Sequence, residues 1–328
     1  MQHVIEPVLG RHPERVSISN SEIQTFKQCR RKWWLGNYRG LQPKEENFSG
    51  PLPLGTRVHN ALEAHYRDGV NVVEEYTRLQ NADNIRFTQS EKATFPAEVK
   101  KFESESELGR IMVEGYAEWE AENNSDVAFE VIGAEKKLSH VLESQPRVEI
   151  IGKVDLRVRR RSDGSRAVLD HKTTKSFDDY YRHSHASEQL MTYTNLERLN
   201  PDEDSKVDGG IYNLLKKVKR SGTAKPPFYD RIDVRFNKKQ LDSQWIRLQG
   251  TVAQMMEVRD ALDNGADHRL VAYPTPEMSW RCTTTGCPFA NICTWFDDGS
   301  AAEDFLEDHF RVGNPNERYG SDDEVDTV

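Results

Sequence analysis

The stretch VLDHKTTKS, residues 168–176, sets Asp170 and Lys172 two apart in what otherwise reads as a buried β-strand. Residues i and i+2 of a strand share a face, so an acid and a base are aimed at one spot. Charges brought together in this way are paired, bound to a metal, or used in chemistry. The tripeptide alone selects nothing. Acid-x-Lys begins at Glu98, Glu135, Asp170 and Asp204, against about three expected by chance, so the surroundings must choose among them.

Around Asp170 those surroundings are specific. VEIIGKVDLRVRR and AVLDHKTT flank RSDGSR, two strand patterns about an Asp-Gly turn, which predicts a hairpin. With 163 and 164 as central turn residues Asp155 faces Lys172; with 162 and 163 it faces Asp170. Either register puts Asp155, Asp170 and Lys172 on one face, because directly paired residues point the same way, whereas a loop of three or five residues would not. Adjacent carboxylates repel and need a cation, and a hard oxygen-binding ion such as Mg²⁺ or Mn²⁺ suits them. Such an ion activates a water and neutralises charge on a phosphodiester under attack, with Lys172 beside it as donor and point charge. A cross-strand salt bridge is the other meaning of the same residues.

The elements that must position this hairpin follow from periodicity. Residues 17–39, with a capping-type start and Ile23, Phe26, Trp33 and Trp34, read as a helix packed by aromatics, and GTRVHNALEAHYRD, 55–68, as a second. A third helix covers about 105–122, and Ala128 to Leu142 opens the sheet. SEQLMTYTNLERLN is helical; GGIYNLLKKV and FYDRIDVRF are strands around a basic loop; a long helix covers about 238–264 and ends at Gly265. The order predicts a mixed α/β fold with an antiparallel hairpin at its centre.

On these residues the chain resembles the RecB-type branch of the PD-(D/E)xK nuclease superfamily: GKVDLR, LDHKTTK and QLMTY stand in the family's order of Asp, (D/E)-x-K and a Q-x3-Y helix. The resemblance implies Asp155, Asp170, Lys172, Gln189 and Tyr193 as catalytic residues, with the helix of Gln189 and Tyr193 flanking the metal site. GTRVHNALE is similar to the family's G-x3-H-x2-L-E helix, which implies His59 as a metal ligand beside Asp155 and Asp170, with Glu63 in support. Read without the family, a lone helical histidine is more often surface or satisfied core. Glu135 falls near where some relatives place a further acid. The four cysteines, Cys29, Cys282, Cys287 and Cys293, lie one near the N-terminus and three toward the C-terminus. That arrangement is similar to the iron–sulfur staple of RecB-like exonucleases, including AddB and CRISPR-associated nucleases, and implies a 4Fe-4S cluster. The four residues between Cys282 and Cys287, where the family commonly has two, leave a zinc site or free thiols open. The implied fold is a restriction-endonuclease-like core, a mixed central sheet flanked by helices, with the N- and C-terminal segments joined at the cluster.

Composition bounds the rest. The net charge of −9 is a tail property: residues 297–328 hold eleven acids and two bases, and residues 1–296 balance to zero. Three segments are expected: an N-terminal extension, 1–16; a nuclease domain, 17–296; and a flexible acidic tail, 297–328. Bases cluster at Lys153, Arg157, Arg159, Arg160, Arg161, Arg166, Lys172 and Lys175, and again from Lys216 to Lys225, which suits a phosphate-lined partner. No apolar run approaches a membrane span and the first residues lack a secretion signal, so a cytoplasmic protein is expected. No G-x4-G-K-[ST] occurs, which points to a free-standing nuclease without that type of ATP motor. With these bounds, the resemblance implies a Mg²⁺- or Mn²⁺-dependent DNA exonuclease acting on single strands or duplex ends, in recombination, replication, or CRISPR or phage DNA metabolism, with a recombination or CRISPR protein as partner. The rivals are a structure-specific endonuclease and an inactive DNA-binding scaffold of the same fold.

Overall fold

The computed structural model describes residues 15–199, 206–275, 282 and 286–319; the expected N-terminal extension lies outside them but for its last two residues. In chain order the main elements are β1 (Val16–Ser19), α1 (Asn20–Gln28), α2 (Arg30–Trp33), β2 (Leu41–Pro43), α3 (Pro51–Asp68), α4 (Val72–Gln89), α5 (Pro96–Asn123), β3 (Phe129–Leu142), β4 (Gln145–Arg160), β5 (Arg166–Thr174), α6 (Asp178–His183), α7 (Glu188–Leu199), β6 (Val207–Lys216), β7 (Tyr229–Arg235), α8 (Lys238–Asp263), the helix Ala302–His309 and β8 (Phe310–Val312). The chain divides into two compact units. The first comprises 1–46, 139–152 and 245–328, and the second 47–138 and 153–244.

The second unit is built on a mixed sheet. β4 and β5 pair antiparallel, β5 and β6 parallel, and β6 and β7 antiparallel, with β3 on β4. Alternation sorts the two faces. Leu156, Val158, Ala167, Leu169 and Ile211 pack on one side. Further along the same face Leu215, four residues beyond Ile211 on β6, and its cross-strand partner Tyr229 meet the helices α3, α4 and α5 through Leu54, Val58, Leu62, Tyr76, Met112 and Tyr116. Helix α7 packs against β5 and β6. Its approach requires Gly210: a Cβ there would stand 2.7 Å from Leu190 and 3.1 Å from Val168. Helix α4 was not expected. Its pattern, VVEEYTRLQNADNIRFTQ, buries only Val72, Tyr76 and Phe87, too few for an apolar stripe to stand out.

In the first unit β1 runs parallel to residues 148–151. The single helix expected over 17–39 is instead a strand, two α-helices broken at Cys29, and a π-helical turn over Trp34–Tyr38. Ser19 caps α1 by accepting the Glu22 N–H at 3.2 Å, and Cys29, in extended backbone, caps α2 with its Sγ 3.4 Å from the Lys32 N–H. The aromatic packing is as expected: Trp33 is fully buried, edge-on to Phe26 at 5.2 Å, and its indole N–H donates to Glu22 at 2.9 Å.

Of the acidic segment expected to be flexible, the described part forms helices and a strand as far as Tyr319. Buried Arg31 donates to both oxygens of Asp297, at 2.9 and 3.2 Å. Arg39 grips Glu303 in the same two-pronged way, and β8 pairs antiparallel with β2. Part of the acidity that suggested a loose tail is spent on these arginines. Among the described residues no helix is long and apolar enough to cross a membrane.

Candidate active site

Every residue expected at the nuclease site lies in the second unit. The hairpin turns through 161–164, with Gly164 in the left-handed region at φ 70° and the Arg160 N–H bonded to the Ser165 carbonyl. Its register runs from Arg159 opposite Arg166 to Leu156 opposite Leu169, with Asp155 and Asp170 the next residues on the two strands. The paired backbone ends at Leu156 and Leu169. Beyond it the Asp155 carboxylate takes the place of a strand, accepting the His171 N–H at 2.6 Å.

Around that point the expected groups converge. His59, on α3, brings Nδ1 to 3.6 Å from the same Asp155 oxygen. Lys172 Nζ lies 2.6 Å from Asp170 Oδ2. Gln189, on α7, donates to Asp170 Oδ1 at 3.4 Å and to the Tyr193 hydroxyl at 3.3 Å.

The electrostatics follow from this crowding. Burial, then the Asp170 charge, raise the Asp155 carboxyl well above its ordinary value, with Glu135 adding to the rise. Burial lowers His59 to about 4, so near neutrality it is the uncharged imidazole that binds metals. Burial works against the charge of Lys172, but the Asp170 carboxylate outweighs it and the ammonium is held more tightly than usual. One cation thus serves two carboxylates at the Asp155–Asp170 end of the hairpin.

Glu135 joins this neighbourhood. It sits in strand β3 with φ 50°, a backbone region unfavourable to a non-glycine residue, and its carboxylate is ion-paired with Lys153. Burial raises its carboxyl, with Glu63 adding to the effect. Glu63 itself bonds Arg67 at 2.5 Å. Among the described residues no three of His, Cys, Asp and Glu are grouped closely enough to hold an ion as they stand. The donor chemistry nevertheless fits a hard divalent cation: the Asp155 and Asp170 carboxylates, at the end of one hairpin, and a neutral imidazole.

Three of the basic residues expected to meet phosphate are structural instead. Arg157 and Arg166 are buried against Glu197, at 2.8 and 3.0 Å, and Arg160 against Asp208 at 3.0 Å and also Asp233. Arg157 and Arg160, three apart on β4, project from opposite faces of the sheet, and Arg166 projects from β5; each finds a buried acid on its own side. Sequence reading also missed the polar network behind the site. His171, between the two catalytic candidates, points to the other face, where Asn213 lies 2.8 Å from its Nδ1 and Tyr66 stacks on it at 5.6 Å. Arg231 joins Asn213, Tyr66 and Tyr116 at 2.8 to 3.1 Å. Alternation along DHK was the available signal, since a histidine facing the helices must find buried partners.

The four cysteines lie in the first unit and are free, half-buried thiols. Cys287 N–H donates to the Cys282 carbonyl at 3.2 Å. Burial pushes Cys293 up to about 11; Arg31 opposes the shift, while Cys29, Cys287 and Cys282 add to it. Burial also raises Cys287, with Cys29 and Cys282 contributing.

A mixed sheet flanked by helices that carries an Asp, an Asp-x-Lys and a Gln-x3-Tyr helix at one site defines a nuclease core. The PD-(D/E)XK nuclease superfamily model matches residues 17–294, and the chain belongs to that superfamily. It is similar to one component of the ATP-dependent helicase/deoxyribonuclease of Streptococcus mutans, with 23% identity over 231 residues, 66% of this chain and 20% of that protein. The chain thus spans about a fifth of that relative's length. A solved structure from Eubacterium rectale, named provisionally as an exonuclease, aligns over 80% of this chain and 88% of its own at 13% identity and a TM-score of 0.46. That last likeness is too loose to carry an argument.

Proposed function

We propose that the protein is a cytoplasmic, metal-dependent DNA exonuclease, with residues 17–296 as its nuclease domain. The observation that carries this is the meeting of His59, Asp155, Asp170 and Lys172 at the splayed end of one hairpin. Asp155, Asp170 and His59 would hold Mg²⁺ or Mn²⁺. When bound, the ion supplies an activated water and neutralises charge on the phosphate. Lys172, held protonated by Asp170, donates toward the attacking water or the phosphate oxygens. Gln189 fixes Asp170 and is itself backed by Tyr193. The deoxyribonuclease named in the Streptococcus relative supports DNA as substrate, and end processing in recombination or replication is the setting we favour.

The four cysteines would hold a 4Fe-4S cluster. Support comes from their nearness: Cys29, Cys282 and Cys287 all act on the Cys293 thiol, and a bound metal would take coordinating thiols as thiolates. The cluster would join the chain's two ends within the first unit.

The test is cleavage of 5′- and 3′-labelled DNA, linear and circular, by anaerobically purified protein with Mn²⁺ or Mg²⁺. Mononucleotides or short products from linear DNA, with circles intact, fit an exonuclease. Cut circles assign an endonuclease, and no cleavage at all rejects the enzyme.

A further inference from the structure

Beside Asp170 the second unit holds a cavity of about 280 Å³, lined by Asp179, Tyr180, His183, Ser184, Ser187 and Tyr212. Its tie to the nuclease site is a matter of strand register. Tyr212 on β6 stands directly opposite Asp170 on β5, and paired residues project from the same face. The Tyr212 hydroxyl is 2.6 Å from Ser187 Oγ, which also accepts the Leu190 N–H at 3.2 Å. The ring is thereby fixed to the start of α7, the helix whose Gln189 reaches Asp170. Tyr180, on α6, meets Tyr212 edge to face at 5.0 Å. The charges of Asp170 and Lys172 are felt at both tyrosines.

The lining selects a ligand class. It holds no lysine or arginine, and Asp179 would repel a phosphate. Two tyrosine rings, an imidazole and serine hydroxyls suit a flat heterocycle with polar edges. The volume falls just under the roughly 300–1,000 Å³ of pockets for drug-sized ligands, which is room for one base and not for a dinucleotide. We propose that this cavity receives one unpaired nucleobase of the strand being cut, from the nucleotide adjoining the scissile phosphate, so that the enzyme acts on single strands and frayed ends. A base can enter only after leaving its stack and its partner, and it costs least to remove from a strand that has none. The inference rests on the nuclease reading above.

The test uses the full chain with Mn²⁺ and short single-stranded DNA in which one abasic site is stepped along the strand past the cleavage position. Wild-type protein should lose about tenfold in kcat/KM when the abasic site occupies the adjoining nucleotide, in line with the strength of base–aromatic stacking. Tyr180→Ala should lose a similar factor on intact DNA and become indifferent to the abasic site. Tyr180→Trp should keep the sensitivity, and unchanged thermal melts would exclude misfolding of either variant. With Ca²⁺ replacing Mn²⁺ to suppress cleavage, 2-aminopurine at that nucleotide should be quenched by the wild type and not by Tyr180→Ala. A wild-type enzyme that cleaves abasic and intact strands equally overturns the pocket while leaving the nuclease standing, as does undiminished abasic sensitivity in Tyr180→Ala. If the wild type neither binds nor cuts DNA, both fall.

Discussion

Replacing Glu197 by alanine should loosen the nuclease site without touching it. Glu197 is wholly buried, and its two carboxylate oxygens face Arg157 on β4 and Arg166 on β5, themselves nearly as buried. Removing one partner from a buried pair costs about 3–5 kcal/mol, because the remaining charge is left without compensation in a poorly solvated place. Here two guanidinium groups lose their shared acceptor, so the upper part of that range applies. Against a total stability of about 5–15 kcal/mol this is a large share, equivalent to a fall in Tm on the order of 10 °C. Gln189, Tyr193 and Glu197 are spaced by four, along one stripe of α7. Losing the anchor at one end should therefore free the Gln189 amide from Asp170 at the other, lowering kcat while the melt remains cooperative. Urea unfolding followed by circular dichroism, together with cleavage of labelled single strands, reads both effects. A triple variant, Glu197→Leu with Arg157→Met and Arg166→Met, should recover most of the stability, since apolar replacement of the whole buried group is often neutral. A loss below about 1 kcal/mol in Glu197→Ala, the ordinary value of a surface pair, would refute the reasoning.

Four further outcomes are expected. His59→Ala should raise the Mn²⁺ concentration for half-maximal cleavage by at least about tenfold, with excess metal restoring part of the rate; an unchanged metal curve would make His59 structural. Burial raises the Glu22 carboxyl above its ordinary value, so the folded state binds that proton more tightly than the unfolded chain. Stability from this group is present at pH below about 4.5 and is lost as pH rises through the folded value; Glu22→Gln should therefore stabilise the protein at pH 8 and not at pH 4, and equal melts at both pH values would contradict this. Truncation after residue 301 removes Glu303 from Arg39 and β8 from β2, and should lower Tm and expose the amides of 41–43 to hydrogen exchange; full retention of both would mean the segment contributes nothing. Anaerobically purified protein should carry about four iron atoms per chain and lose them in Cys29→Ala; one zinc per chain, or none of either metal, would reject the cluster.

How far the fold could be read in advance depended on which force fixed each part. The hairpin was legible because an Asp-Gly turn between alternating strands favours a two-residue turn with two registers, and the structure adopts the one in which Leu156 faces Leu169 and Asp155 and Asp170 follow next along the strands. Helices α3 and α7 were legible from their apolar spacing and from the residues they carry toward the site. Helix α4 was not, because it buries three side chains along one edge. The basic run on β4 and β5 misled for a related reason: composition counts charges, but both faces of the sheet are covered, and Arg157, Arg160 and Arg166 are buried onto acids 31 to 73 residues away in the chain. Long-range pairs of that kind leave no local mark. The break at Cys29 was likewise hidden, since it depends on a thiol capping α2.

The most direct measurement is the rate at which Asp170→Asn and Lys172→Ala cut 3′- and 5′-labelled single-stranded DNA with Mn²⁺, beside the wild type and with melting curves in parallel. Each variant should fall by about 10²–10⁴-fold or more while keeping the wild-type melt to within a few degrees. Cleavage at the wild-type rate by either folded variant would contradict the assignment of Asp170 and Lys172 to the chemistry.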